Sequence, residues 1–196
     1  MQRRHFLQLL VSTAIASHLT GATASESALP AAGEPSQSPL PWRNWSGSQT
    51  CLPENRIAPA NIDELRHLLQ NSDHAGTTIR PVGSGHSFSA LVPTDGILVS
   101  LARMTGVLSH DDQQCQARIA AGTLLGQVGR PLDAINQALF NMPDIDQQAL
   151  GGLLATATHG TGAGLMSLSG YVEALTLMTA GGELLECSRH QHPEIF

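Results

Sequence analysis

Apolar residues recur at helical spacing in two stretches of the chain. In the first, a leucine-rich run follows Asn61, and Glu64 stands where the acidic residue of a capping box belongs. This pattern predicts a helix that begins after Asn61 and ends near Asn71. In the second, apolar residues continue through residues 122–139 and predict a longer helix, in which Pro131 marks a kink or the true start.

Short apolar or β-branched runs between these helices are typical of strands. They lie at residues 77–82, 97–101, 118–121, 172–179 and 183–187. A Gly181-Gly182 turn joins the last two runs as a hairpin, whereas residues 141–164 are predicted to be irregular. Trp42 and Trp45 open the folded part, and both side chains are expected in the core. Short strands interspersed with helices predict an α+β fold.

The first 24 residues have the pattern of an export signal. Arg3 and Arg4 precede a moderately apolar stretch, and Ala22-Thr23-Ala24 resembles a cleavage site. We therefore expect a twin-arginine signal peptide over residues 1–24, a linker over 25–41 and a periplasmic or extracellular protein. The alternatives are an ordinary secretory signal and a chance pair of arginines.

Composition excludes several functions. The chain has 196 residues, 10 Lys+Arg against 16 Asp+Glu, and a formal net charge of −6, which argues against nucleic-acid binding. Every basic residue is an arginine, so the sequence contains neither a Schiff-base lysine nor a P-loop lysine. Cys51, Cys115 and Cys187 lack the spacing of metal ligands, so no metal site is predicted.

A glycine- and serine-rich loop follows the predicted strand 77–82. Consecutive small residues allow backbone N–H groups to converge on one concavity, and such a nest binds phosphate oxygens without a cation. The loop is not the Rossmann fingerprint, because Phe88 occupies the position of its third glycine. The candidate cofactor-binding residues here are Val82, Gly83, Ser84, Gly85, His86, Ser87 and Phe88.

A second segment, residues 151–162, is dominated by glycine, alanine and threonine. Its composition suits a backbone that lies flat against a large planar ligand, and an acceptor-rich turn at residues 141–146 precedes it. The candidate cofactor-binding residues in this region are Asp146, Gly151, Gly152, Thr156, Thr158, His159, Gly160, Thr161 and Gly162.

Together, these segments resemble the FAD-binding (PCMH-type) domain of the vanillyl-alcohol-oxidase-type flavoproteins, in the branch of the sugar-lactone and alditol oxidases. The resemblance is carried by residues 80–87, 141–146 and 158–162, in matching order and spacing, and covers about residues 42–196. It implies a two-subdomain FAD-binding fold whose 82–87 loop holds the pyrophosphate. It also implies a covalent bond between His86 and the flavin 8α-methyl; the alternative for His86 is a hydrogen bond to a phosphate or to the flavin edge.

The same resemblance implies an FAD-dependent oxidoreductase of the aldonolactone or alditol oxidase type. An alcohol of a sugar lactone or alditol would give hydride to flavin N5, and O₂ or another acceptor would reoxidise the flavin. In that family a C-terminal cap domain supplies most catalytic side chains. We therefore expect the chain to end before the last elements of the FAD-binding domain and before the cap, and no residue is assigned as catalytic.

Two alternatives remain open. Residues 85–89 nearly match the G-x-S-x-G nucleophile elbow, with Ser89 in place of the last glycine. Asp144 and His159 follow in hydrolase order, so a serine hydrolase with Ser87 as nucleophile is one alternative. A flavin-binding remnant without catalytic activity is the other.

Overall fold

The computed structural model describes residues 40–196, so the predicted signal peptide and nearly all of the linker lie outside the described residues. No helix in the described part is long and apolar enough to cross a membrane. The elements in chain order are β1 Trp42–Arg43, β2 Thr50–Cys51, β3 Asn55–Ile57, α1 Ile62–Ala75, β4 Ile79–Val82, β5 Ile97–Ser100, β6 Val107–Asp111, β7 Gln116–Ile119, α2 Gly129–Asp133, α3 Leu150–Ala155, β8 Ala174–Met178 and β9 Leu184–Ser188.

The capped start of α1 is confirmed. The side chain of Asn61 accepts a hydrogen bond from the backbone N–H of Glu64 (2.9 Å), and the Glu64 carboxylate accepts one from the N–H of Ala60 (2.8 Å). The helix extends to Ala75, beyond the predicted end at Asn71, because the polar residues of its last turn do not interrupt it. It ends at Gly76, whose φ of 66° closes a left-handed C-cap.

Three parallel strands form the sheet that positions the candidate site. Their order is β3-β5-β4, and α1 makes the connection between β3 and β4. Leu98 and Val99 of the central strand are buried, at 1% and 3% exposure. Because the strands are parallel, their carboxyl ends lie at one edge, where Val82 is paired with Ser100. The predicted glycine-rich loop leaves the sheet at this edge.

The predicted helix over residues 122–139 is wrong. This region contains a 3₁₀ turn at Leu125–Gln127 and the five-residue helix α2. The N–H groups of Leu125 and Gly126 pair with the carbonyls of Gln148 and Asp146 instead of with the preceding helical turn. The apolar spacing still marks core positions, since Leu125, Val128 and Leu132 are no more than 3% exposed.

The predicted carboxyl-terminal hairpin is confirmed as β8 and β9, which pair in antiparallel register. Arg66 of α1 donates a hydrogen bond to the carbonyl of Gly182 in its turn (3.1 Å). On β9, Glu186 forms a bidentate ion pair with Arg118 of β7, at 3.2 Å for each N–O pair. The hydrogen bonds between the two side chains lower the pKa of Glu186 and raise the pKa of Arg118. The mixture of helices and strands confirms the α+β class.

Candidate functional site

The loop after β4 presents a row of free backbone donors. Within residues 40–196, the N–H groups of residues 84–88 donate no hydrogen bond to the protein. Gly85 adopts a φ of 70°, a left-handed conformation that favours glycine. A Cβ atom at Gly85 would also lie 3.3 Å from the indole of Trp42. The loop therefore has the free donors and small residues expected of an anion-binding nest.

Residues 44–49, which connect β1 to β2, hold this loop by donating hydrogen bonds to the carbonyl groups of the loop. The N–H of Trp45 donates to the carbonyl of Gly85 (2.9 Å), and the side-chain amide of Asn44 donates to that of Ser87 (3.0 Å). The side-chain amide of Gln49 donates to the carbonyl of Phe88 (3.3 Å). Since β1 and β2 pair in antiparallel register, they and the connecting residues 44–49 form a β1–β2 hairpin. Three loop carbonyls face this hairpin, while the N–H groups of residues 84–88 have no partner within residues 40–196.

His86 lies against Trp45. The two rings stack with centroids 5.5 Å apart and planes inclined by 21°. Neither ring nitrogen of His86 hydrogen-bonds within the described residues, so both are free to meet a ligand. The prediction of Trp45 as a core residue is wrong: its side chain is 65% exposed, whereas Trp42 is 7% exposed, as expected.

The two glycine-rich segments meet at Gly83. A Cβ atom built on Gly83 would lie 3.3 Å from the Cβ of Ala149 and 3.9 Å from the Cα of Gly152. Gly151 and Gly152 are exposed in the first turn of α3, beside this contact. The close approach requires a small residue at position 83, and it joins parts of the chain separated by nearly 70 positions.

The remaining candidate residues of the second segment make contacts within the segment and with neighbouring stretches of the chain. His159 Nδ1 hydrogen-bonds the carbonyl of Gly160 (2.9 Å), and because a carbonyl only accepts, Nδ1 carries the proton. Gly160 packs against residues 141–142, and Gly162 packs against Leu165. The Thr156 hydroxyl donates to the carbonyl of Gly152 (3.1 Å). Thr158 and Thr161 complete the segment; their roles stay predictions.

Asp146 supports the turn before the second segment. Its carbonyl accepts the N–H of Gly126 (2.8 Å), and its carboxylate lies over Gly126. Gln148, two residues further along the chain, has a buried Oε1 atom without a hydrogen-bond partner among the described residues. A buried acceptor of this kind costs free energy unless a donor reaches it, and a bound molecule with an N–H or O–H group could supply one.

The residues present fit an FAD molecule. The free N–H groups of the loop suit a pyrophosphate, and the glycines at positions 83, 151 and 152 allow the backbone to approach a ligand closely. The buried Gln148 acceptor offers a partner to a ligand donor.

A hydrolase triad is not assembled in the described part of the chain. The Ser87 hydroxyl accepts a hydrogen bond from the N–H of Ser89 (3.3 Å). His159 is engaged with Gly160, and no hydrogen bond connects Ser87, Asp144 and His159 within residues 40–196. Among these residues all three cysteines are free, and no cluster of potential metal ligands occurs.

Asn44, Trp45 and Gln148 were not among the candidate residues from the sequence. Asn44 is 3% exposed, and such a polar side chain beside a predicted loop carries no periodic signal. The one signal in the sequence was the pair of tryptophans in W-R-N-W. Two large aromatic side chains so close together indicate a segment that packs against other parts of the chain.

The comparisons identify the class of protein to which this fold and site belong. A family model described as "FAD binding domain" matches residues 53–188, more than half of the chain. The chain therefore belongs to this family of FAD-binding domains. The solved structure of an alkyldihydroxyacetonephosphate synthase matches with a TM-score of 0.63 and 22% identity, covering 71% of this chain and 26% of that one. This likeness confirms the PCMH-type fold.

The curated relatives narrow the branch of the family. L-gulonolactone oxidase of Scyliorhinus torazame is 36% identical over 155 residues, which cover 79% of this chain and 35% of that protein. L-gulono-1,4-lactone dehydrogenase of Mycobacterium tuberculosis is 37% identical over 147 residues, covering 75% and 34% respectively. D-arabinono-1,4-lactone oxidase of Eremothecium gossypii is 37% identical over 161 residues, covering 79% and 30%. The match confirms the predicted resemblance, and the chain spans about a third of the length of these relatives.

The Asn44→Ala substitution tests whether the hairpin braces the loop. It removes two donated bonds, to Ser48 Oγ and the Ser87 carbonyl, and the acceptor of the Gln49 N–H. Leaving these groups unpaired should lower the free energy of unfolding by roughly 1–3 kcal/mol, measured by urea denaturation. As a matched control, Asn71→Ala at an exposed position of α1 should change it by less than about 0.5 kcal/mol. Equal effects of the two substitutions would contradict the bracing role.

Proposed function

We propose that this chain is the FAD-binding part of an oxidoreductase of the lactone oxidase type. The observation that carries the proposal is the meeting of the two glycine-rich segments at Gly83, beside a loop with free N–H groups. The family match and the names of the relatives support it. The substrate would be an alcohol of a sugar lactone or alditol, and the electron acceptor O₂ or another oxidant.

Each part of the site would have a distinct task in holding FAD. The N–H groups of residues 84–88 would donate to the pyrophosphate, so the phosphate charge is met by backbone dipoles instead of a lysine. Gly83, Gly151 and Gly152 would allow close approach, and Gln148 would accept a hydrogen bond from the cofactor. When bound, FAD supplies an acceptor for hydride.

We propose that His86 bonds covalently to the 8α-carbon of the flavin. A neutral imidazole is a nucleophile, and both ring nitrogens of His86 are free of protein hydrogen bonds within the described residues. The new N–C bond replaces one N–H and one C–H bond, and the two hydrogens with their electrons pass to the oxidant; with O₂ the product is H₂O₂. Such a bond would retain FAD in a compartment that contains little of it.

A visible spectrum, before and after acid precipitation, tests the FAD and the bond separately. The purified chain should show flavin absorbance, and the colour should remain in the pellet. His86→Ala should release the colour to the supernatant because the attacking nitrogen is gone. His67→Ala, an exposed histidine on α1, is the matched control and should retain it. Release from the unsubstituted chain would disprove the bond, and a folded, colourless chain would disprove FAD binding.

Oxidation of a lactone tests the proposed reaction. The chain loaded with FAD, joined to the cap domain of a lactone oxidase if required, should reduce a dye or O₂ with L-gulono-1,4-lactone, D-arabinono-1,4-lactone or an alditol. Ser87→Ala should keep this activity, since the proposal gives the Ser87 hydroxyl no catalytic task. Bound FAD without oxidation of any of these substrates would indicate a non-catalytic flavoprotein. Labelling of Ser87 by a fluorophosphonate would instead favour the hydrolase.

We propose that residues 1–24 direct export by the twin-arginine route, which carries folded proteins and would allow FAD to be loaded first. The sequence pattern around Arg3 and Arg4 supports this proposal. Replacing both arginines with lysine should leave unprocessed protein in the cytoplasm of a bacterial host, measured by fractionation and immunoblotting. Unchanged export would argue for the ordinary secretory route instead.

A further inference from the structure

An exposed aromatic cluster surrounds the proposed attachment residue. It consists of Trp45, His86 and Phe88. Trp45 is 65% exposed and Phe88 is 66% exposed, although both are large and apolar. The indole of Trp45 stacks on the imidazole of His86 and meets the ring of Phe88 edge-on, with centroids 6.4 Å apart. Three rings are therefore kept in contact at the surface, where their burial contributes little to the core.

The position of Trp45 is set by its own backbone. Its N–H donates to the carbonyl of Gly85, the residue directly before His86. The preceding residue, Asn44, is buried and anchored to Ser87 on the other side of His86. The indole is thus carried on a segment that is hydrogen-bonded to both neighbours of His86, so the backbone places the two rings next to each other.

We propose that Trp45 is a positioning residue, which holds the imidazole of His86 in one orientation for bond formation with the flavin. The inference rests on the proposed covalent attachment and extends it. A hydrogen bond could orient the ring only by occupying one of its nitrogens. A stacked indole contacts the face of the ring and leaves both nitrogens, which lie on its edge, free to react.

The stack limits the rotamers that the histidine samples. Without it, the side chain can distribute among several staggered wells, and the fraction in the reactive orientation falls. Stacked aromatic pairs contribute enough to change such a population roughly 2- to 10-fold. Trp45→Ala should therefore slow covalent incorporation roughly 2- to 10-fold, while the total FAD bound stays unchanged. Trp45→Phe, which keeps a ring at this position, should restore most of the rate.

The experiment uses the full chain, prepared without flavin and incubated with FAD in air. Total bound flavin and flavin retained in the acid pellet are followed over time for the unsubstituted chain, Trp45→Ala and Trp45→Phe. Leu52→Ala is the matched control, because it removes a large side chain, 59% exposed, just after the same hairpin.

Separately, the NMR signals of the His86 ring are recorded without FAD. The ring current of Trp45 should displace these signals, and Trp45→Ala should remove the displacement.

Each other outcome overturns the inference in a recognisable way. Equal rates for Trp45→Ala and the unsubstituted chain would show that the stack does not assist the bond. A parallel fall in total and retained flavin would show that Trp45 contacts the cofactor itself. If the unsubstituted chain binds FAD but forms no covalent bond with it, there is no reaction for the stacked Trp45 to assist. A chain that binds no FAD would instead overturn the proposed function, and unchanged His86 signals in Trp45→Ala would show that the rings do not stack.

Discussion

The candidate site depends on a division of hydrogen-bonding groups within one short loop. Donors from residues 44–49 pair with three loop carbonyls, and the N–H groups of residues 84–88 have no acceptor in the part of the chain that the structure describes. A peptide group whose carbonyl is engaged on one side orients its N–H toward the other. The carbonyls of Gly85 and Ser87 belong to the peptide groups that carry the N–H of His86 and the N–H of Phe88. The β1–β2 hairpin therefore does more than stabilise the loop, because it orients these two N–H groups away from itself.

The parallel sheet supplies the second constraint. Its carboxyl edge is where β4 ends and the loop begins, and ligand sites of open parallel sheets commonly lie at such edges. Gly83, at this edge, lies so close to Ala149 that an added Cβ atom would be 3.3 Å from the Cβ of Ala149, a tight contact that favours a small residue here. Gly83 thus has a packing role in addition to its proposed role in binding.

Features encoded by neighbouring residues could be predicted from the sequence. The N-cap of α1 is formed by Asn61 and Glu64 alone. The β8–β9 hairpin is specified by two short apolar runs and the glycine turn between them. Both could therefore be predicted from the sequence. The error over residues 122–139 has a different origin. There Leu125 and Gly126 pair with residues at least 20 positions away, and long-range pairing overrode the local helical spacing. Trp45 was misassigned for a similar reason, since nothing local distinguishes an indole that packs in the core from one that stacks on a distant histidine.

The absence of lysine from the sequence fits this arrangement of the site. A mobile ammonium group can neutralise a phosphate from many positions, whereas backbone donors act only if the loop is already shaped. An acidic chain that binds an anion through peptide dipoles therefore needs a rigid structure around the loop. The buried side chain of Asn44 and the packing of Gly85 against Trp42 provide that rigidity. On this reasoning the small hairpin before the sheet is as necessary to the site as the glycines that would contact the ligand.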